Sequence, residues 1–189
     1  MKTLLKIMQK KNSGVPEGIL PVFEGIIQKY EALGVPSLGP ECNAELFKAI
    51  EEHLTKEQRF KLYEQAGGCK GTGQDKERKA FALQHADIPL GKKLDLFTKA
   101  FDRPGRVLND DNTITVMFKC SHGYYKSVRE GKPFTPPASL ESYFECCAGG
   151  RLYELEKALG IKLKIKSVDI SPLEENPANP VKFTFEIVS

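Results

Sequence analysis

The sequence predicts an α+β fold, with an antiparallel sheet built as hairpin, helix and hairpin in the C-terminal half and an N-terminal helical region packed on it. Three observations predict it. Residues 1–101 carry their apolar side chains almost wholly at helical spacing, and residues 104–189 contain all of the strong strand alternations. Between the two strand pairs lies a helical pattern over 139–159. The two regions are expected to form one compact unit.

In the first region, Pro21 opens a helix at its first turn, with Val22, Ile26, Ile27, Tyr30 and Leu33 on one face. Gly34 and Pro36 stop it. The next helix starts near Asn43, with Leu46, Phe47, Ile50 and Leu54 on its inner side. Thr55 with Gln58 three residues on has the form of a capping box and predicts a helix through Tyr63. The glycine-rich stretch at 67–73 interrupts the pattern, and helices around 74–84 and 90–101 complete this half.

The second region opens after Pro104-Gly105 with a hairpin. Arg106–Leu108 and Thr113–Lys119 are its strands, and Asn109-Asp110-Asp111-Asn112 is its turn. Residues 121–138 read as a loop rich in Gly, Pro and Ser. From Ser139 a helix runs to Leu159, with Leu140, Phe144, Cys147, Leu155 and Leu159 inward and Gly160 as its cap. Ile161, Leu163 and Ile165 form one strand face. The shift of the apolar series to Val168 and Ile170 predicts a bulge. After a proline-rich turn, Val181, Phe183, Phe185 and Ile187 alternate in a closing strand.

Composition narrows the function classes. The chain has 189 residues, 40% of them hydrophobic and 28% charged, with a net charge of +3. So small an excess, with both signs interspersed, lacks the concentrated basic face that nucleic acid requires. The lysines at 162, 164 and 166 alternate with apolar residues, as on the wet face of a strand. No apolar run approaches the ~20 residues of a membrane span, and the lysine-bearing start has no small-residue cleavage site. Five cysteines at these spacings do not form a secreted disulfide framework. The expectation is a cytoplasmic protein with free or metal-bound thiols and a small-molecule partner. Apolar faces on the N-terminal helices leave a homodimer open.

Lys119-Cys120-Ser121-His122, the helix opening at Ser139–Gly150, Leu159-Gly160, and Phe183–Ile187 together resemble a known layout. It is that of the vinyl-reductase-type small-molecule-binding domain and its uncharacterised bacterial relatives, including amino-thiazoline-carboxylate hydrolase-like proteins. The resemblance covers roughly the last 85 residues. It implies a strand ending at a cysteine, a helix opening with cysteines and a glycine, and a closing hairpin. This chain carries adjacent Cys146-Cys147 where those relatives often separate the cysteines by one residue, and His122 where some have another cysteine.

The leading expectation is a small-molecule-binding or sensor-like protein with a Cys/His metal site: thiolate and imidazole ligands suit zinc, so Cys120, His122, Cys146 and Cys147 are the candidate metal ligands. Adjacent helical cysteines point about 100° apart. One of the pair is therefore expected to face the site, while Cys147, on the apolar stripe, reads as core. The same atoms allow a hydrolase of a small amide or cyclic substrate, with Cys146 or Cys120 as nucleophile and His122 as base. A third reading is a structural or partner-binding protein whose cysteines are only packed. Cys69 sits in Gly67-Gly68-Cys69-Lys70-Gly71-Thr72-Gly73, whose backbone amides can nest an anion, although the phosphate-loop spacing is absent. Tyr124 and Tyr125 are candidate lid residues, and Gly150, Arg151, Tyr153 and Glu154 candidate ligand contacts. Gly149-Gly150 inside a helix costs ~1 kcal/mol per glycine relative to alanine, which close packing can offset.

Overall fold

The computed structural model describes residues 2–34, 39–67 and 72–188. Helix α1 spans Lys2–Met8, and α2 spans Leu20–Ala32 with Pro21 in its first turn. α3 covers Pro40–His53 and α4 Lys56–Ala66. α5 is Asp75–Gln84 and α6 Leu90–Ala100. The second half runs β1 Arg106–Leu108, β2 Thr113–Phe118, α7 Gly123–Glu130, α8 Leu140–Leu159, β3 Lys162–Asp169, α9 Pro172–Glu175 and β4 Val181–Val188. Among the described residues, no helix is long and apolar enough to cross a membrane.

The α+β class and the hairpin, helix, hairpin order stand as read from the sequence. The capping box is present in full, with Gln58 N donating to Thr55 Oγ1 at 3.3 Å and Thr55 N to Gln58 Oε1 at 2.9 Å. Ser139 caps α8 by accepting from Ser142 N, and Gly160 closes it in the left-handed conformation at φ +71°. Other details differ. α2 buries Phe23, Ile27 and Tyr30, whereas Val22 and Leu33 are exposed. α3 starts at Pro40, because proline suits a first helical turn. The expected loop at 121–138 contains α7, stopped by Gly131 at φ +63°. The stop expected at Pro36 lies outside the described residues.

The sheet has the order β1-β2-β4-β3, antiparallel throughout. Strands β2 and β3 both pair antiparallel with β4, so they run parallel to each other, and α8 is the crossover between them. Ile114, Val116 and Phe118 of β2, Val181, Phe183 and Phe185 of β4, and Leu163, Ile165 and Val168 of β3 are buried on one face. The register shifts between Ile165 and Ser167, and that extra residue returns Val168 to the inner face. The other face is wet: Thr115 sits opposite Thr184, and Met117 opposite Lys182. This division is common for an antiparallel sheet with one packed side.

Helix α8 is covered on two sides. Phe144 meets Phe118 of the sheet edge-on at 6.4 Å between centroids. On the opposite side lies α4, where Lys56 pairs with Glu141, Arg59 with Glu145, and Tyr63 and Gly67 meet Gly149. The partner numbers rise together, so α4 and α8 run parallel. A Cβ on Gly149 would lie 2.0 Å from Tyr63 O and 2.8 Å from Gly67 Cα. Only glycine allows these two backbones to approach so closely. At the β3 edge, Glu64 of α4 accepts from Ile165 N at 2.8 Å, and Glu156 of α8 accepts from Leu163 N at 3.0 Å.

Candidate functional site

Where α5, the α6–β1 connection and β1 converge on α8, four guanidinium groups surround one carboxylate. Arg151 and Glu154 stand three residues apart on α8 and so share a face. Arg78 comes from α5, one helical turn before the buried Phe81. Arg103 lies in the connection from α6. Arg106 occupies an inward position of β1, paired with the buried Val116. The connection is turned by Asp102 and Gly105, both at positive φ. Gly105 O accepts from Met117 N at 2.7 Å, and a Cβ on Gly105 would stand 2.9 Å from Met117 Cβ.

Glu154 is fully buried. Its Oε1 receives Arg103 Nε at 3.0 Å and has Arg78 Nη2 at 3.6 Å, and its Oε2 receives Arg151 Nη1 at 2.6 Å and Arg106 Nη2 at 3.3 Å. Three of these contacts are hydrogen bonds, whereas Arg78 Nη2 stands as an ion pair and donates to Gln74 Oε1 at 3.0 Å. Asp75 is a second acid, 3.4 Å from Arg78 Nη1 and hydrogen-bonded by the Tyr153 hydroxyl. Four cations thus face two anions, an excess of two positive charges among these described residues. The side chains of Arg78 and Arg106 are 1% and 3% exposed, whereas Arg103 is 38% exposed and opens the cluster to solvent. The Arg106 guanidinium lies over the Phe97 ring at 5.5 Å, and Arg151 over Phe118 at 5.6 Å.

The electrostatics follow from this arrangement. Burial acts to raise the Glu154 carboxyl, but Arg151, Arg106 and Arg103 outweigh it and hold the group below its ordinary value. Arg106 moves the other way. Burial, aided by the repulsion of Arg151 and Arg103 and opposed by Glu154, brings its guanidinium down to about 10. Its buried Nε–H has no hydrogen-bond partner.

The cysteine cluster is arranged otherwise than a metal site requires. The Cys120 thiol donates to the His122 main-chain oxygen at 3.1 Å, and the His122 ring pairs with the Ser121 hydroxyl at 2.9 Å. Tyr143 Oη lies beneath Gly123, where a Cβ would be 2.1 Å away. Cys147, one turn further along α8, is hydrogen-bonded to Tyr143 and lies within electrostatic reach of Tyr125. Cys146 instead lies within reach of Tyr63 on α4. The two adjacent thiols are thus directed to different sides of α8. Among the described residues, no group of three or more His, Cys, Asp or Glu side chains is placed to hold a metal ion. Among the described residues, then, Cys120, His122, Cys146 and Cys147, expected to hold zinc, form no such group.

The remaining sequence-predicted residues divide. Arg151 and Glu154 are brought together in the arginine cluster. Gly150 sits at the close α4–α8 crossing, beside Gly67. Tyr124 is buried edge-on against Phe134 and Phe144 rather than spread over the surface as a lid. Tyr125 is buried too, its hydroxyl set between the carbonyls of Phe118 and Asn179 and accepting from Val181 N at 3.0 Å. Cys69 lies outside the described residues. The sequence reading missed Arg78, Arg103 and Arg106. A signal existed for two of them, since Arg106 shares a strand face with Leu108, and Arg78 stands three residues before Phe81. Comparisons with protein-family models, curated proteins and solved structures give no match for this chain.

Proposed function

We propose that the protein binds a small anionic molecule, with the negative group held by Arg103, Arg106 and Arg151 beside Glu154. The reading keeps the small-molecule partner expected from the sequence and moves the site from the cysteines to the arginines. One observation carries it: a largely buried cluster with more guanidinium groups than carboxylates, open to water at Arg103. Unbalanced buried charge is unfavourable, and an anion that neutralises it is bound in proportion to that penalty.

A ligand that binds only the folded chain stabilises it, by about 2.7 kcal/mol at a hundredfold excess over Kd. The test is thermal unfolding with a panel of small carboxylates and oxyanions at constant ionic strength, wild type beside Arg103→Ala. The expected result is a concentration-dependent rise in Tm for the wild type that Arg103→Ala loses. A panel in which no anion raises Tm above the chloride control sinks the reading.

A further inference from the structure

We infer that Cys120 and Cys147 are a redox pair, which a hydroperoxide converts to a disulfide joining the end of β2 to α8. The pair is independent of the arginine cluster. Its first support is the place where β2 ends. The ring of Phe118, the last residue of β2, lies 6.4 Å from that of Phe144, and the Arg151 guanidinium stands over it at 5.6 Å. On α8 those two residues stand three before and four after Cys147, so all three share a face. Cys120 follows Phe118 by two residues, the spacing at which an extended chain returns to the same side.

The second support is a run of contacts between the two sulfurs. The Cys120 thiol donates to His122 O at 3.1 Å, and the next residue, Gly123, has the Tyr143 hydroxyl beneath it. Tyr143 is hydrogen-bonded to Cys147, one helical turn on. One peptide unit and one hydroxyl thus lie between the sulfurs, and both thiols are also within electrostatic reach of Tyr125. Cys146, directed toward Tyr63 of α4, takes no part. Cys120 is half-buried and Cys147 buried, so the oxidant meets Cys120 first. The Cys120 thiolate attacks the hydroperoxide and breaks its O–O bond; an alcohol or water leaves, and Cys120 becomes a sulfenic acid. The Cys147 sulfur then attacks that of Cys120. The S–S bond forms, the S–O bond breaks, and the departing hydroxide takes the Cys147 proton as water, the two thiols having supplied both electrons. Closing the bond requires the His122–Gly123 peptide to swing aside, which lifts Gly123 off Tyr143 and shifts the start of α7.

The experiment treats the folded full chain with hydrogen peroxide and maps its peptides without reduction, wild type beside Cys120→Ser, Cys147→Ser and Cys146→Ser. Wild type and Cys146→Ser are expected to lose two hydrogens per chain, to yield a linked peptide pair carrying Cys120 and Cys147, and to revert with dithiothreitol. Cys120→Ser and Cys147→Ser should give no such link. A wild type whose main disulfide includes Cys42, Cys69 or Cys146 overturns the pair. So does Cys120 carried on to sulfinic acid while Cys147 stays a thiol, or both thiols left unchanged by excess peroxide. The wild-type map decides even if Cys147→Ser, at a buried position, does not fold.

Discussion

Replacing Gly149 by alanine sets two opposed effects against each other at one position. In an exposed helix the change is stabilising by up to about 1 kcal/mol, since alanine is the better helix former. At Gly149 the new methyl would stand 2.0 Å from Tyr63 O, 2.7 Å from Tyr63 C and 2.8 Å from Gly67 Cα. All three are backbone atoms, which cannot rotate aside, so α4 must move. Overpacking of this kind costs about 1–3 kcal/mol. Tyr63 O also accepts from Gly67 N at 2.7 Å in the last turn of α4, and losing that bond costs about 1 kcal/mol more. The expected net effect is a loss of about 2 kcal/mol, against the propensity. Gly25, exposed in α2 with no atom within 4 Å of its Cβ position, is the control, and Gly25→Ala should gain up to about 1 kcal/mol. Urea unfolding with a shared m-value reads both. Equal stabilities for the two variants would refute the close α4–α8 crossing.

Glu145 is fully buried and receives Arg59 Nε at 2.7 Å and Nη2 at 2.9 Å, so Glu145→Ala strands a largely buried guanidinium and should cost about 3–5 kcal/mol in chemical denaturation. The double change Arg59→Met with Glu145→Leu should recover most of that loss. Removing the α8 cap with Ser139→Ala should cost about 1 kcal/mol and Ser139→Asp much less, read from the same unfolding midpoints. For Glu154, the unfolded chain protonates near the ordinary glutamate value and the folded chain only below it. Its stabilising contribution is therefore complete above the ordinary value and is lost as pH falls through the lowered one. Urea midpoints stepped downward from neutral pH should fall across that window, and a Glu154→Gln variant that folds should show a shallower fall. Glu64 is shifted upward, chiefly by burial, so Glu64→Gln should leave stability near neutral pH unchanged or raised, which the same titration measures.

What was legible in the sequence was local. The Thr55–Gln58 box, the Ser139 and Gly160 caps and the bulge after Ile165 are each written within a few residues, and the chemistry at those positions has one main structural answer. Helix α7 was obscured because it is only eight residues long, opens on a glycine and precedes a proline-rich stretch. The arginine cluster was half visible. Arg151 and Glu154 share a helix face, but three of the cations arrive from positions 48 to 76 residues earlier in the chain. Hydropathy periodicity scores such residues as solvent-facing, since a buried charge is stable only with partners that lie far off in sequence. The cysteines were less legible for the complementary reason. Their residue types suit zinc, but the direction of each side chain depends on which helix packs against α8.

The two carboxylates at the outer side of β3 have a consequence for how copies of this chain meet. A strand with unpaired amides is a template on which another strand can add, and repeated addition extends a sheet into a fibril. Here Glu64 and Glu156 accept from Ile165 N and Leu163 N, and Lys162, Lys164 and Lys166 alternate along the same strand. An incoming strand would have to displace both acids and bring its own backbone among three cations. Burial disfavours the charged form of Glu64, and in return the sheet is terminated from within its own fold at β3.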